Sequence, residues 1–282
     1  MEERKNYIKG KVILITGSGG KRGFGSAAAE KLAARGGRLV ICGRNPENVE
    51  ATVRRIREQG GEAIGVPADV SRYEDNKRLV HTALEHYGGL DVFVANAGIM
   101  PLAFWSDAET AMDRWNECID TNYKGVVYGI SASREALEQR RGQFIVLSSI
   151  YANTPVTGAA VYQSTKIAVR YLVETLRQEE YGRIRTTIIN PTGVPATNLM
   201  KSVVNHSTYG GGMGAHILEF RKRCEEERAG TGVADPRDEE SPDCYLLSPA
   251  TVADSIVQAI DLPAGVSFSE ITVRATNELF CM

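Results

Sequence analysis

Tyr162 and Lys166 stand four residues apart in Tyr162-Gln-Ser-Thr-Lys166. On a helix, positions i and i+4 share a face, so the phenol and the ammonium point into one site. A nearby ammonium stabilises phenolate and draws a tyrosine pKa down from ~10 toward working pH. Tyr162 is therefore a candidate general acid–base. Taken alone, the same pair also suits an exposed helix face. Ser148-Ser149 ends the run Phe144–Leu147, and open α/β sheets gather their active sites at the carboxyl ends of strands. A hydroxyl there reaches a substrate oxygen, although serine is also a common turn residue at a strand end. Spacing joins the two features, because Tyr162 follows Ser149 by thirteen residues. Acid–base work on an oxygen is the chemistry such a set suits.

A third feature is the loop Thr16-Gly-Ser-Gly-Gly-Lys-Arg-Gly-Phe-Gly25. Glycines let backbone approach a pyrophosphate, and a following helix turns its N-terminal N–H groups toward the anion. The loop lies between the β-branched run Val12–Ile15 and the Ala-rich stretch Ser26–Ala34, the context this motif requires.

Alternating strands and helices must carry these residues. Val12–Ile15, Arg38–Cys42, Ala63–Val66, Asp91–Ala95, Gln143–Leu147, Thr186–Ile189 and Glu270–Arg274 read as strands. Continuous apolar runs such as the first are how strands buried on both faces read. Helical patterns occupy 26–34, 46–59, 73–87, 110–138, 162–180 and 249–260, several stopped by glycine pairs. Repeated βα units predict an α/β fold: one Rossmann-type, doubly wound parallel sheet with helices on both faces. Residues 197–245 break the rhythm with Tyr209-Gly-Gly-Gly-Met-Gly214 and a charged stretch Glu219–Arg228. One domain over 1–282 with an extended insertion explains this better than two domains.

Composition narrows the classes further. In 282 residues, 33 Lys plus Arg face 35 Asp plus Glu, a net charge of −2, which speaks against a nucleic-acid binder. Cys42, Cys118, Cys224, Cys244 and Cys281 form no CxxC pair, so no disulfide framework or zinc knuckle is expected. His81 and His86 are five apart and do not share a helix face, and His206 and His216 add no pattern, so no metal is expected. No apolar h-region opens the chain and no apolar run approaches ~18 residues. A soluble protein of the reducing cytoplasm, with no membrane partner, is the expectation.

In order along the chain come the glycine loop, Ala68-Asp69-Val70, Ala95-Asn96-Ala97-Gly98, Asn122 in Thr-Asn-Tyr-Lys-Gly, Ser149, then Tyr162 with Lys166. On these motifs the sequence resembles the short-chain dehydrogenase/reductase family over about 9–196, and again over 246–278. The resemblance implies a catalytic set of Asn122, Ser149, Tyr162 and Lys166. Tyr162 would exchange the proton with the substrate oxygen, and Ser149 would orient the carbonyl or alcohol. Lys166 would hold the nicotinamide ribose and lower the Tyr162 pKa, and Asn122 would support a proton-relay water beside Lys166. Gly17, Gly19, Arg22, Gly23, Phe24 and Gly25 would cradle the cofactor phosphates, Asp69 and Val70 would contact adenine, and Asn96, Ala97 and Gly98 would line the cleft. Pro191 and Val194 would meet the nicotinamide carboxamide.

Two departures from the family pattern stand out. Five residues separate Gly17 from Gly23 where the family has three, so either Gly17 or Gly19 makes the first tight turn. Asn190-Pro191-Thr192-Gly193-Val194 replaces the usual Pro-Gly, keeping Val194 in register but shifting Thr197 by one. Cofactor choice follows from charge. The end of the second strand, Ile41-Cys42-Gly43-Arg44-Asn45, has no carboxylate for a ribose 2′-hydroxyl, while Arg44 suits a 2′-phosphate and Arg22 adds a second basic residue. NADP(H) is expected in preference to NAD(H).

The activity expected is hydride transfer between nicotinamide and a carbonyl or secondary alcohol of a small-molecule ketone or alcohol. The ending Ile271–Thr276 resembles family members acting on small hydroxy acids and alcohols. Two other readings stay open: isomerisation or dehydration by the same tetrad with bound cofactor, and a non-catalytic nucleotide-sensing module. Residues 197–245 would form a substrate lid or an oligomer contact. The resemblance suggests a homodimer or homotetramer through the helices near 110–138 and 162–180.

Overall fold

The run Val12-Ile-Leu-Ile15 is strand β1, buried on both faces. Its side chains alternate, as strand geometry requires: Ile13 and Ile15 enter one apolar layer, Val12 and Leu14 the other. A computed structural model describes residues 5–21, 23–194, 197–231 and 235–279. Strands β1, β2 (Arg38–Gly43), β3 (Glu62–Pro67), β4 (Val92–Ala95), β5 (Gln143–Leu147), β6 (Arg185–Pro191) and β7 (Glu270–Val273) form one sheet in the order β3-β2-β1-β4-β5-β6-β7. Every neighbouring pair is parallel.

Helices α1 (Phe24–Ala34), α2 (Pro46–Glu58) and α8 (Pro249–Ile260) cover one face, through Leu32, Ile56 and Ile256 among others. Helices α3 (Tyr73–Tyr87), α5 (Gly125–Arg140) and α6 (Ala160–Glu179) cover the other, through Leu79, Leu137 and Val173. Local signals set several boundaries. Asn45 accepts from the Asn48 N–H and Pro46 opens α2; Ser248 accepts from the Thr251 N–H and Pro249 opens α8. Gly88 ends α3 in the left-handed conformation, φ +74°.

The expected helix over 110–138 is three pieces: α4 (Ala108–Cys118), a π-helical turn Ile119–Lys124, and α5. A π turn carries one extra residue and is frequent at functional sites; this one buries Asn122. Gly125 follows it, where a Cβ would come within 3.0 Å of Val70, so the chain hugs the turn after β3. Helix α1 begins two residues before the expected Ser26, bringing Phe24 and Gly25 into its first turn. Trp105 and Ile119, which flank α4, and Ile167 and Tyr171 of α6 leave apolar surface exposed near the stretches 110–138 and 162–180, where a homo-oligomer contact was expected. No described helix is long and apolar enough to cross a membrane.

Between α6 and α8, residues 197–231 form 3₁₀ turns at Asn198–Ser202, His206–Thr208 and Gly214–His216, then α7 (Ile217–Ala229). The first part docks firmly. The Val204 and Asn205 N–H groups donate to Leu102 O at 3.1 and 3.0 Å, and Ser202 Oγ accepts from the Met100 N–H at 2.7 Å. Thr208 packs on Gly158, where a Cβ would sit 2.4 Å from its methyl carbon.

Candidate active site

Strand order reverses direction between β1 and β4, and doubly wound sheets bind ligands in the crevice at that point. The glycine loop closes one side. Gly17 makes the first tight turn, with φ +65°, and a Cβ there would lie 2.8 Å from Ala97 Cα. Gly19 has no positive φ; a Cβ there would meet Val49 of α2 at 2.8 Å. The longer loop is pinned rather than loose. The Ser18 and Gly19 N–H groups donate to Cys42 O, Gly20 N–H donates to Thr52 Oγ1, and Arg55 donates to Gly20 O at 2.9 Å. Gly25 lies behind the loop, where a Cβ would approach Asn96 Nδ2 to 2.5 Å. The Asn96 amide donates to Thr16 O at 2.8 Å and Gly17 O at 3.2 Å, fixing the loop to the end of β4.

Gly17, Gly19, Gly23, Phe24, Arg44, Asp69, Val70, Asn96, Ala97, Gly98, Tyr162 and Lys166, all expected at the cofactor, line one cleft of about 320 Å³. Its glycine cradle lies against the N-terminus of α1, a shape and polarity that fit a dinucleotide diphosphate. Arg22 lies outside the described residues. Arg44 is already engaged: its guanidinium donates to Glu117 of α4 at 2.8 Å, and Glu117 also accepts from Arg114 at 2.7 Å. The two arginines hold the Glu117 carboxyl below its usual range.

A second chamber of about 450 Å³ adjoins the cleft, lined in part by Ser149, Tyr151, Pro191, Val194, Met213 and Tyr245. Pro191 and Val194, expected at the nicotinamide, stand in the wall of this adjoining chamber. Phe24, Ser148, Tyr162 and Leu199 line both spaces. The phenol thus stands at the junction.

Tyr162 and Lys166 share a face of α6, as their spacing predicts, and both are buried. The expected lowering of the tyrosine pKa is not what this geometry gives. Burial raises the Tyr162 phenol well above its ordinary value, and only the Ser149 hydroxyl opposes the rise. The Lys166 ammonium lies 5.8 Å from the ring centroid and donates to Leu147 O at 2.7 Å. Desolvation lowers its own pKa to about 8, which leaves it cationic at neutral pH. In this site the loss of water dominates, and the Ser149 hydroxyl offsets it only in part.

Asn122 is buried in the π turn. Its amide donates to Ile99 O (2.9 Å) and Thr165 Oγ1 (3.2 Å), and accepts from Ile99 N–H (2.9 Å). The side chain therefore braces the segment after β4 against α6. Gly98 keeps the space beyond it clear, since a Cβ would lie 3.2 Å from Asn122 Oδ1 and 3.6 Å from Lys166 Nζ.

Three supporting contacts were not foreseen from the sequence. Ser148 Oγ donates to Lys166 O at 3.0 Å, tying β5 to α6. Tyr151 packs edge-on against Tyr162, with ring centroids 6.1 Å apart. Arg170 donates to Asn153 Oδ1 at 2.6 Å and forks onto Glu270 at 2.8 and 2.9 Å, clamping the turn after Ser149 to β7. Its position four residues past Lys166 was the available signal.

The buried ammonium has a consequence for stability. Below pH ~8 both folded and unfolded chains carry it; between about 8 and 10.5 the unfolded chain alone keeps the proton, so stability rises with pH there. Wild-type unfolding free energy minus that of Lys166→Met should therefore increase by about 3 kcal/mol from neutral pH to 10.5. Urea denaturation across that range measures it, and a flat difference counts against a buried cation.

Residues 11–208 match the short chain dehydrogenase family. An uncharacterized oxidoreductase of Listeria monocytogenes is 36% identical over 275 residues, 96% of this chain and 98% of that protein. The human mitochondrial dehydrogenase/reductase SDR family member 2 is 34% identical over 200 residues, 71% of this chain and 70% of that protein. Among solved structures, the alcohol dehydrogenase of the archaeon Thermococcus sibiricus, complexed with 5-hydroxy-NADP, superposes with a TM-score of 0.73. It is 26% identical, and the match covers 95% of this chain and 97% of that one.

Proposed function

The chain belongs to the short-chain dehydrogenase family, and from that premise we propose that it is an NADP(H)-dependent oxidoreductase that interconverts a small-molecule ketone and its secondary alcohol. One observation carries the reading: Tyr162 lines both the dinucleotide cleft and the apolar chamber, so one phenol serves both spaces. A nicotinamide bound in the cleft supplies or accepts the hydride. The chain's own residues handle the oxygen and its proton. Ser149 Oγ, which already accepts from the Tyr151 N–H at 3.2 Å, retains its own proton to donate to the substrate oxygen. The Tyr162 phenol, kept protonated by burial, gives its proton to that oxygen in reduction and takes it back in oxidation. Lys166, fixed by Leu147 O, presents its remaining N–H groups to a ribose. A panel of ketones with NADPH, followed by nicotinamide absorbance, tests the activity. A net absorbance change also separates redox turnover from isomerisation or dehydration.

Preference for NADP(H) rests on Arg44 and the lack of a carboxylate at the end of β2. A 2′-phosphate would take Arg44 from Glu117 without stranding that carboxylate, because Arg114 still holds it. Charge-assisted hydrogen bonds are worth about 1.5–3 kcal/mol. Arg44→Ala should therefore weaken NADPH binding about 10- to 100-fold and leave NADH almost unchanged. Fluorescence titration with both cofactors measures this, and equal losses would remove Arg44 from the 2′-phosphate.

A further inference from the structure

The chamber beyond Tyr162 is apolar and aromatic, as small-molecule pockets commonly are, and among the described residues it is lined without a formal charge. Its wall is built from Met100, Leu102, Ile150, Met213, Phe220 and Leu246, with tyrosines between them. Among the described residues, no lysine, arginine, aspartate or glutamate lines it. Its single ionisable nitrogen base is His206 at the exposed rim, and the Nδ1 of that ring is within 3.0 Å of the Tyr209 hydroxyl.

Two arginines behind the wall have other partners. Arg223 lies behind Tyr245, 5.0 Å from its ring centroid, and donates to Glu219 Oε1 (3.0 Å), Asn277 O (3.0 Å) and Asn277 Oδ1 (3.3 Å). Arg274 pairs with Glu278 at 2.7 Å, and that glutamate is buried beside Thr192 of the chamber wall. Lys166 lines the cleft and not the chamber. A carboxylate moved out of water needs a charge partner or several donors, and without them the burial is strongly unfavourable.

Resting on the ketone–alcohol reading above, we infer that this chamber selects uncharged, largely apolar carbonyl compounds and their alcohols, and excludes substrates that carry a carboxylate. The small hydroxy acids suggested by the Ile271–Thr276 ending are thereby set aside. Hydrogen-bonding capacity in the chamber suits neutral oxygens: Ser149, Tyr151, Tyr162 and Tyr209 present hydroxyls, and a carbonyl, hydroxyl or ester satisfies them without a counter-charge.

A matched pair separates charge from shape. Ethyl mandelate and mandelate share an aromatic secondary alcohol and differ in the carboxylate. Both are titrated into the protein loaded with NADPH, where neither turns over, and binding is read by calorimetry. The expected result is ethyl mandelate binding at least about 30-fold more tightly, more than 2 kcal/mol at 1.4 kcal/mol per decade. His206→Arg, a substitution at the exposed rim that a long side chain can occupy, should narrow that ratio by tightening mandelate. Mandelate binding within threefold of the ester, or no binding of either, overturns the inference. Failure of the ketone–alcohol reading has a different signature: no absorbance change with any ketone, while the binding ratio still reports on the chamber.

Discussion

Tyr162→Phe should lower the rate of ketone reduction about 10³-fold, within the range that a positioned acid–base contributes, while NADPH binding stays within about twofold. The substitution removes one oxygen and keeps the ring. Its edge-on contact with Tyr151 and its place in the cluster of Leu102, Cys118 and Val156 survive, so the loss cannot be charged to packing. Stopped-flow absorbance gives the rate and fluorescence titration gives the affinity. Retained turnover would transfer the proton to another donor, with Ser149 the nearest alternative. The pH dependence follows in sign from burial, which raises the Tyr162 pKa. Protonated phenol predominates through neutral pH, so reduction should be flat there. Oxidation needs the deprotonated form, so it should climb as pH rises. An oxidation rate that falls between neutral and alkaline pH would contradict the assignment.

Gly17→Ala is expected to damage both stability and cofactor binding. Its φ of +65° costs a residue with a Cβ about 1–2 kcal/mol. The added carbon would also stand 2.8 Å from Ala97 Cα, which is backbone and cannot swing aside. Overpacking of that kind adds roughly 1–3 kcal/mol, for a total of about 2–5. Any relief must move the loop or the end of β4, and both line the cleft, so cofactor affinity should drop by at least about tenfold. Gly60→Ala is the control: φ is +80° but nothing lies within 4 Å, so only the conformational cost of about 1 kcal/mol applies. Urea unfolding of both variants gives the comparison. Equal destabilisation would mean that the contact with Ala97 is soft.

What could be read from the residues, and what could not, divides along distance in the chain. Strands such as Val12–Ile15 are legible because burial on both faces demands an unbroken apolar run. The Tyr162–Lys166 pair is legible because helical geometry alone puts the two on one face. The π turn at Ile119–Lys124 was not, since one extra residue in a helix barely disturbs its polar and apolar pattern. Arg44 has the right charge and place, but its bond to Glu117 spans 73 positions and depends on how α4 lies across the sheet. The burial that raises the Tyr162 pKa was not legible for a related reason. Its lysine is local, whereas the groups that strip it of water come from Leu102, Cys118, Tyr151 and Tyr209, separate segments that only the fold assembles.

The way residues 202–208 are attached has an evolutionary consequence. Leu102 O receives two N–H groups from this segment, and Gly158 O receives the Ala103 N–H beside them. Main-chain atoms are the same whatever the side chains, so these fastenings tolerate most substitutions in the strip they hold. His206, which lines the chamber, can change without loosening it. Descendants of this chain can thus acquire new substrates by point mutation in the strip while the proton-handling residues on β5 and α6 stay as they are.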